Sequence, residues 1–167
     1  MKTLYLIRHA KSDWNNPLLS DFDRPLNKRG KKDAPFMGNV LAKAHIHPDL
    51  IVSSPAIRAQ MTAIEIAKKI GYDRDSILYN ETLYAASSDE IQRVLKSVSS
   101  SHKTVFLIGH NPGLTEFAEY ISGHSIENIS TCGIVCVKLK EDDWSSITEN
   151  SAQFVSFDYP KKHTKPL

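Results

Sequence analysis

Four residues of two chemical types could act together. Arg8 and His9 are adjacent in LIRHAKSDWN, Arg58 lies in SSPAIRAQMTA, and His110 lies in the loop GHNPG. A neutral imidazole is a nucleophile when an acceptor holds one ring nitrogen as N–H and the other keeps its lone pair. A guanidinium presents a planar fork of donors that matches the oxygens of a phosphoryl group. Two of each in one pocket would suit phosphoryl transfer, because the transferring group spreads negative charge over its oxygens and calls for fixed cations around it. Arg58 points the same way by itself. A cation in the first turn of a helix opposes the helix dipole by roughly 0.3–1 kcal/mol, so an anion is expected beside it, either a ligand or a bridging surface acid.

Strand ends are expected to bring these residues together. Residues 3–7 (TLYLI), 49–53 (DLIVS) and 104–108 (TVFLI) are short apolar runs of the kind buried in parallel sheets. The first ends in Arg8-His9, the second leads through Ser53-Ser54 towards Arg58, and the third ends in Gly109-His110-Asn111. In open α/β sheets the ligand crevice lies outside the carboxyl ends of the strands. Ala56, Ala59, Ala63, Ile66, Ala67 and Ile70 recur at helical spacing, predicting a helix capped by Ser54, with Pro55 in its first turn and Gly71 at its end. An earlier helix is expected from Asn27 to Ala44, through Ala34, Met37, Val40, Leu41 and Ala44, with its regular part beginning either near Asn27 or only at Pro35. A short strand at 76–79, helices at 88–98 and 114–122, and strands at 133–139 and 153–157 follow. The last two strands lack a helical crossover pattern and predict an antiparallel hairpin. The expected fold is α/β, a three-layer αβα sandwich with a mainly parallel sheet and an antiparallel edge. It forms one domain over residues 1–160, with a frayed tail at 161–167.

With 41% hydrophobic and 24% charged residues among 167, the composition is that of one soluble globular domain. Lys and Arg number 21 against 19 acids, and a net charge of +2 gives little long-range pull towards nucleic acid or an anionic membrane, so neither is an expected partner. Anion recognition must then be local. The opening MKTLYLIRHA lacks the apolar core of a signal peptide, and no run approaches a membrane span, so a cytoplasmic protein is expected. Cys132 and Cys136 are four apart, which predicts packing thiols on one face of a strand. His45 and His47 have no third ligand nearby, so no metal site is expected. The basic cluster at 28–32 reads as a solvated face, and His102, His124 and His163 carry no signal.

LIRHAKSDWN resembles the opening signature of the histidine phosphatase superfamily, with Arg8, His9, Ala10, Ser12, Trp14 and Asn15 in order. SSPAIRAQMTA is similar to that family's second segment, with its Arg at Arg58, and GHNPG places the second His at His110. Within the superfamily, DFDRPLNKRG (21–30), LYAAS (83–87) and GHNPGL followed by TCG (131–133) resemble the SixA-type phosphohistidine phosphatases, and the likeness spans the chain. The resemblance implies a phosphoglycerate mutase-like fold without a large lid. It implies a phosphohistidine intermediate on His9, with Arg8, Arg58 and His110 around the phosphoryl group and neither cofactor nor metal. It further implies substrate contacts from Ser12 and Asn15 and a role for Asn111 beside His110; for these three a loop-structural role is the alternative. The implied partner is a phosphorylated protein, such as a phosphohistidine-containing phosphotransfer domain, and a monomer is expected.

One departure bears on substrate. Ester-cleaving members of this superfamily carry a Glu shortly after the second Arg segment, whereas here Ala85 follows Leu83-Tyr84 and the nearest acid, Glu81, lies upstream. Acid catalysis is worth roughly 10²–10⁴-fold, so its absence penalises esters and favours a phosphorylated nitrogen. Asp13, Asp21, Asp23 or Glu81 could supply a proton from a loop, or none does. Little chain between Arg58 and Thr104 is left for a covering subdomain, so an open pocket is expected, suited to a side chain projecting from another protein. Alternatives are a small-molecule phosphomonoesterase, favoured by an enclosed pocket with a carboxylate, and a phosphate-binding module without turnover. A histidine nucleophile argues against the last.

Overall fold

Alternation along the strands decides the layering. Leu4 and Leu6 of β1 (Thr3–Arg8) pack in one apolar cluster and Ile7 in the other. Leu50 and Val52 of β2 (Leu50–Ser53) likewise oppose Ile51, and Val105 and Leu107 of β4 (Thr104–Gly109) oppose Phe106 and Ile108. Strands that are apolar on both faces need helices on both faces. In the computed structural model, which describes residues 1–163, α1 (Lys28–Lys43) and α2 (Ile57–Ile70) cover the face of Ile7, Ile51 and Phe106. On the opposite face, α3 (Ser88–Lys96) and α4 (Gly113–Ser122) cover Leu4, Leu6 and Leu107. The result is the expected three-layer αβα sandwich.

With β3 (Leu78–Tyr79), β5 (Ile134–Leu139) and β6 (Ala152–Asp158), the sheet order is β3-β2-β4-β1-β5-β6. The strands from β3 to β1 are parallel, and β5 and β6 add the antiparallel edge. Register does most to build the site. Arg8 lies opposite Gly109, so His9 and His110 leave adjacent strands side by side, and the His9 N–H donates to the Gly109 carbonyl at 3.1 Å. On the other side of β4, Ser53 lies opposite Ile108, which brings Ser54 to the same edge.

One open boundary is settled and two local expectations are corrected. α1 starts at Lys28, with Pro35 inside it, because the Asn27 side chain caps the Gly30 N–H at 2.8 Å and nucleates the helix before the proline. Ser54 does not cap α2: Ala56 holds that position without a side-chain bond, and Ser54 Oγ accepts from the Ala56 N–H at 3.2 Å while Pro55 stays outside the helix. Cys132 precedes β5 rather than sharing its face with Cys136, although both thiols are buried and burial pushes their pKa values up.

Gly30 seats α1 against the site. A Cβ there would lie 2.1 Å from the Lys11 carbonyl oxygen, an impossible contact, so only glycine lets the first turn pass the loop that follows His9. No covering subdomain is inserted between Arg58 and Thr104, where α2, two short 3-10 turns, β3 and α3 use the chain. In the segment expected to fray, Pro160–His163 forms a 3-10 turn tied by His163 to Asp158 at 2.7 Å; residues 164–167 lie outside the described residues. Among the described residues no helix is long and apolar enough to cross a membrane.

Candidate active site

His9 leaves β1 with its ring nine-tenths enclosed, and its Nδ1 lies 2.7 Å from the Ala10 carbonyl oxygen. A carbonyl only accepts, so Nδ1 carries the hydrogen and Nε2 keeps its lone pair. Burial first, then the nearby His110, Arg58 and Arg8, outweigh that bond and push the ring pKa down to about 3. The His110 ring stands 5.1 Å away, centroid to centroid. Its pKa falls to about 4, through burial first and the Arg58 cation second. Both rings are therefore neutral at pH 7.

Hydrogen bonding orients the second ring. Ser54 Oγ already accepts from the Ala56 N–H, and it lies 2.7 Å from His110 Nε2. If the hydroxyl donates to Nε2, every hydrogen in the pair is used and His110 carries its proton on Nδ1. The opposite tautomer would leave the hydroxyl hydrogen without an acceptor. Nδ1 has no protein partner, and neither do the buried Nε atoms of Arg8 and Arg58. Each is a donor on a residue that lines the same hollow as His9.

Arg58, second residue of α2, does have the anion its place in the helix called for. Its fork donates to the Asp21 carbonyl oxygen at 2.7 Å and to Asp21 Oδ2 at 3.0 Å. The same carboxylate accepts from Arg24 Nη2 at 2.9 Å and from the Tyr84 hydroxyl at 2.6 Å. That hydroxyl, with Arg24 and Arg58 behind it, holds the Asp21 carboxyl well below the usual carboxylate range. Arg24 also donates to Ser12 Oγ at 2.5 Å, and its guanidinium lies 3.4 Å from the centre of the exposed Trp14 ring. Arg8 is held by one bond to the Ile129 carbonyl at 3.0 Å.

Arg8, His9, Arg58 and His110 line one hollow of about 220 Å³, together with Ser12, Arg24, Lys11, Trp14, Asn111 and Thr131, and no carboxylate among the described residues lines it. Ser12 thus reaches the hollow, while for Asn15 and Asn111 the structure favours the loop-structural alternative. Asn15 lines a neighbouring hollow beside Lys28 and not this one. Asn111 reaches the hollow, but its amide is saturated: Nδ2 donates to Asn128 Oδ1 and the Ile129 carbonyl, and Oδ1 accepts from the Thr115 N–H and hydroxyl. It ties down the 128–131 loop and has no donor left for a substrate. Sequence reasoning gave Arg24 no role, although its motif DFDRPLNKRG was in view; the signal was a cation three residues from an acid in a loop.

A family model described as the histidine phosphatase superfamily (branch 1) matches residues 4–83, which carry Arg8, His9, Arg24 and Arg58. The chain also shares 27% identity and a TM-score of 0.80 with the crystal structure of a candidate phosphohistidine phosphatase SixA from Agrobacterium tumefaciens, over 95% of this chain and 98% of that one. Over residues 4–83 the chain matches the histidine phosphatase superfamily, and over nearly its whole length it is similar to SixA. A second SixA structure, a protein histidine phosphatase complexed with tungstate, superposes at a TM-score of 0.82 with 20% identity over 96% and 98% of the chains, a likeness of fold. An uncharacterised chloroplast protein of Arabidopsis thaliana is 29% identical over 151 residues, covering 86% of this chain and 69% of that protein.

Among the described residues the hollow has no acid, and the loop carboxylates do not supply one. Asp21 is held ionised, and Asp13, Asp23 and Glu81 do not line the hollow. Asp21 instead positions the two guanidiniums that flank the hollow. Because its side chain is half exposed, the effect of removing it should be modest. Asp21→Ala is expected to lower kcat/KM by about three- to tenfold without changing the site of phosphorylation, as steady-state kinetics and phosphopeptide mapping would show. An unchanged kcat/KM would mean that Arg24 and Arg58 need no such anchor.

Proposed function

We propose that this chain is a histidine phosphatase that removes the phosphoryl group from phosphohistidine in a partner protein, through a phosphohistidine intermediate on its own His9. The observation that carries the reading is His9 held as the Nδ1–H tautomer by Ala10, with Nε2 available, in a hollow lined by cations and, among the described residues, by no carboxylate. His9 Nε2 forms the new P–N bond as the P–N bond of the substrate breaks. The departing imidazole leaves neutral when its other ring nitrogen carries the proton, so it needs no acid from the enzyme. An alkoxide leaving group would need one. Arg8, Arg24 and Arg58 offset the charge on the phosphoryl oxygens, and His110 Nδ1–H adds a neutral donor. Water then attacks phosphorus, phosphate leaves, and His9 returns to its starting tautomer because Nδ1 kept its hydrogen throughout. The SixA likeness and the lack of a covering subdomain between Arg58 and Thr104 support a protein substrate.

A substrate panel tests this. A phosphohistidine protein should be used with kcat/KM at least on the order of 10²-fold above phosphoserine peptides and sugar phosphates, the span that missing acid catalysis allows. A sugar phosphate or phosphoserine peptide hydrolysed equally well would overturn the reading in favour of a phosphomonoesterase.

A further inference from the structure

The chain is almost neutral overall, yet one stretch of its surface is lined mainly by cations among its charged groups. A second hollow, of about 290 Å³, shares Thr131 with the catalytic one and is lined by Arg29 and Lys161 together with Phe157 and Tyr159. A third hollow shares Arg29 with the second and adds Lys28 and Lys32. Across all three, the described lining residues include eight Lys or Arg side chains and a single carboxylate, Asp13. Arg29 bonds to Asp33 at 3.3 Å, but among the described residues Lys28, Lys32 and Lys161 form no ion pair. A hollow elsewhere, lined by Glu65, Lys68 and Arg74, mixes both signs. The basic cluster that reads from sequence as a plain solvated face therefore continues the rim of the phosphoryl pocket.

We infer that Lys28, Arg29, Lys32 and Lys161 form a docking surface for a protein whose phosphorylated residue is flanked by carboxylates. The inference rests on the proposed reading that the substrate is a phosphoprotein. Charge complementarity selects the partner: a phosphoryl group alone reaches only the first hollow, whereas an extended chain advances about 3.3 Å per residue and carries flanking side chains across the next two. The rim is exposed, so its attraction acts mainly on encounter and weakens with salt over a Debye length of about 8 Å at physiological ionic strength. The Phe157 and Tyr159 rings, 5.1 Å apart, give the stems of such side chains an apolar floor.

The test uses the full chain and four peptides, carrying phosphohistidine or phosphotyrosine, each flanked by Glu or by Lys. Wild-type protein should prefer the Glu flank at least tenfold in kcat/KM, through KM, and lose most of that preference at high salt. Lys28→Glu/Lys32→Glu/Lys161→Glu should abolish or invert the preference while leaving turnover of phosphoramidate, which has no flank, unchanged; that control also shows that the variant is folded. Lys161→Glu alone should reduce the preference in part. Because both phosphoryl chemistries carry both flanks, failure on phosphohistidine alone would count against the proposed substrate and leave the flank preference to be read on phosphotyrosine. Equal use of the two flanks by wild type, or a preference that survives the charge reversal, would overturn the docking surface. A rim that binds ATP and shows no flank preference would likewise overturn it, in favour of a small polyanion.

Discussion

Substitution of His9 by alanine is expected to lower turnover at least on the order of 10³-fold and to remove the phosphoenzyme with it, since no other side chain in the hollow has a nucleophilic lone pair so arranged. Rapid quenching with a radiolabelled phosphoryl donor should trap acid-labile, alkali-stable label on His9 in wild-type protein and none in His9→Ala. Label on His110 would reverse the assignment, and no label at all would favour direct attack by water. The protonation of His9 gives a second readout. Its pKa in the folded protein, about 3, lies below the ordinary 6.5, so between those values the unfolded chain binds a proton that the folded chain does not. The stability linked to neutral His9 is thus fully present above about pH 6.5 and declines as pH falls towards 3. His9→Ala should unfold with a shallower loss of stability between pH 7 and 5, measured by urea denaturation.

Replacing His110 by alanine should differ in kind. A donor aimed at charge that develops in the transition state is worth on the order of 10²–10³-fold in kcat. His110→Ala is expected to lose about that much while tungstate still raises its melting temperature, because Arg8, Arg24 and Arg58 remain to hold the anion. Slow label should still appear on His9. A variant that binds tungstate as wild type and turns over normally would remove His110 from the chemistry. One that cannot bind tungstate would make it a binding residue first. Loss of the edge contact between His110 and Tyr84, 5.6 Å between ring centroids, also frees the tyrosine that bonds Asp21, so a small part of the loss will come through Arg58.

The sequence by itself determined the layers and the four central side chains. Short continuous apolar runs ending at Arg8-His9 and Gly109-His110 name buried strands and what stands at their ends, and helical periodicity from Ala56 to Ile70 names the helix that carries Arg58. Those are local patterns, set by backbone geometry and by the need to bury one face or two. What each neighbouring polar group does was decided only in tertiary structure. Asp21 and Arg58 are far apart in the chain, and no local rule says that this carboxylate will meet two guanidiniums and a phenol and so lose any use as an acid. Asn111 looks available in GHNPG and is not, because Thr115, Asn128 and Ile129 fold back to use all of its hydrogen-bonding capacity. Arg24 enters the hollow, and the 28–32 cluster becomes its rim, because α1 packs by its glycine against the loop after His9. A side chain's burial fixes which atoms remain unpaired and which charges sit beside it, and burial is a property of distant segments brought together by the fold.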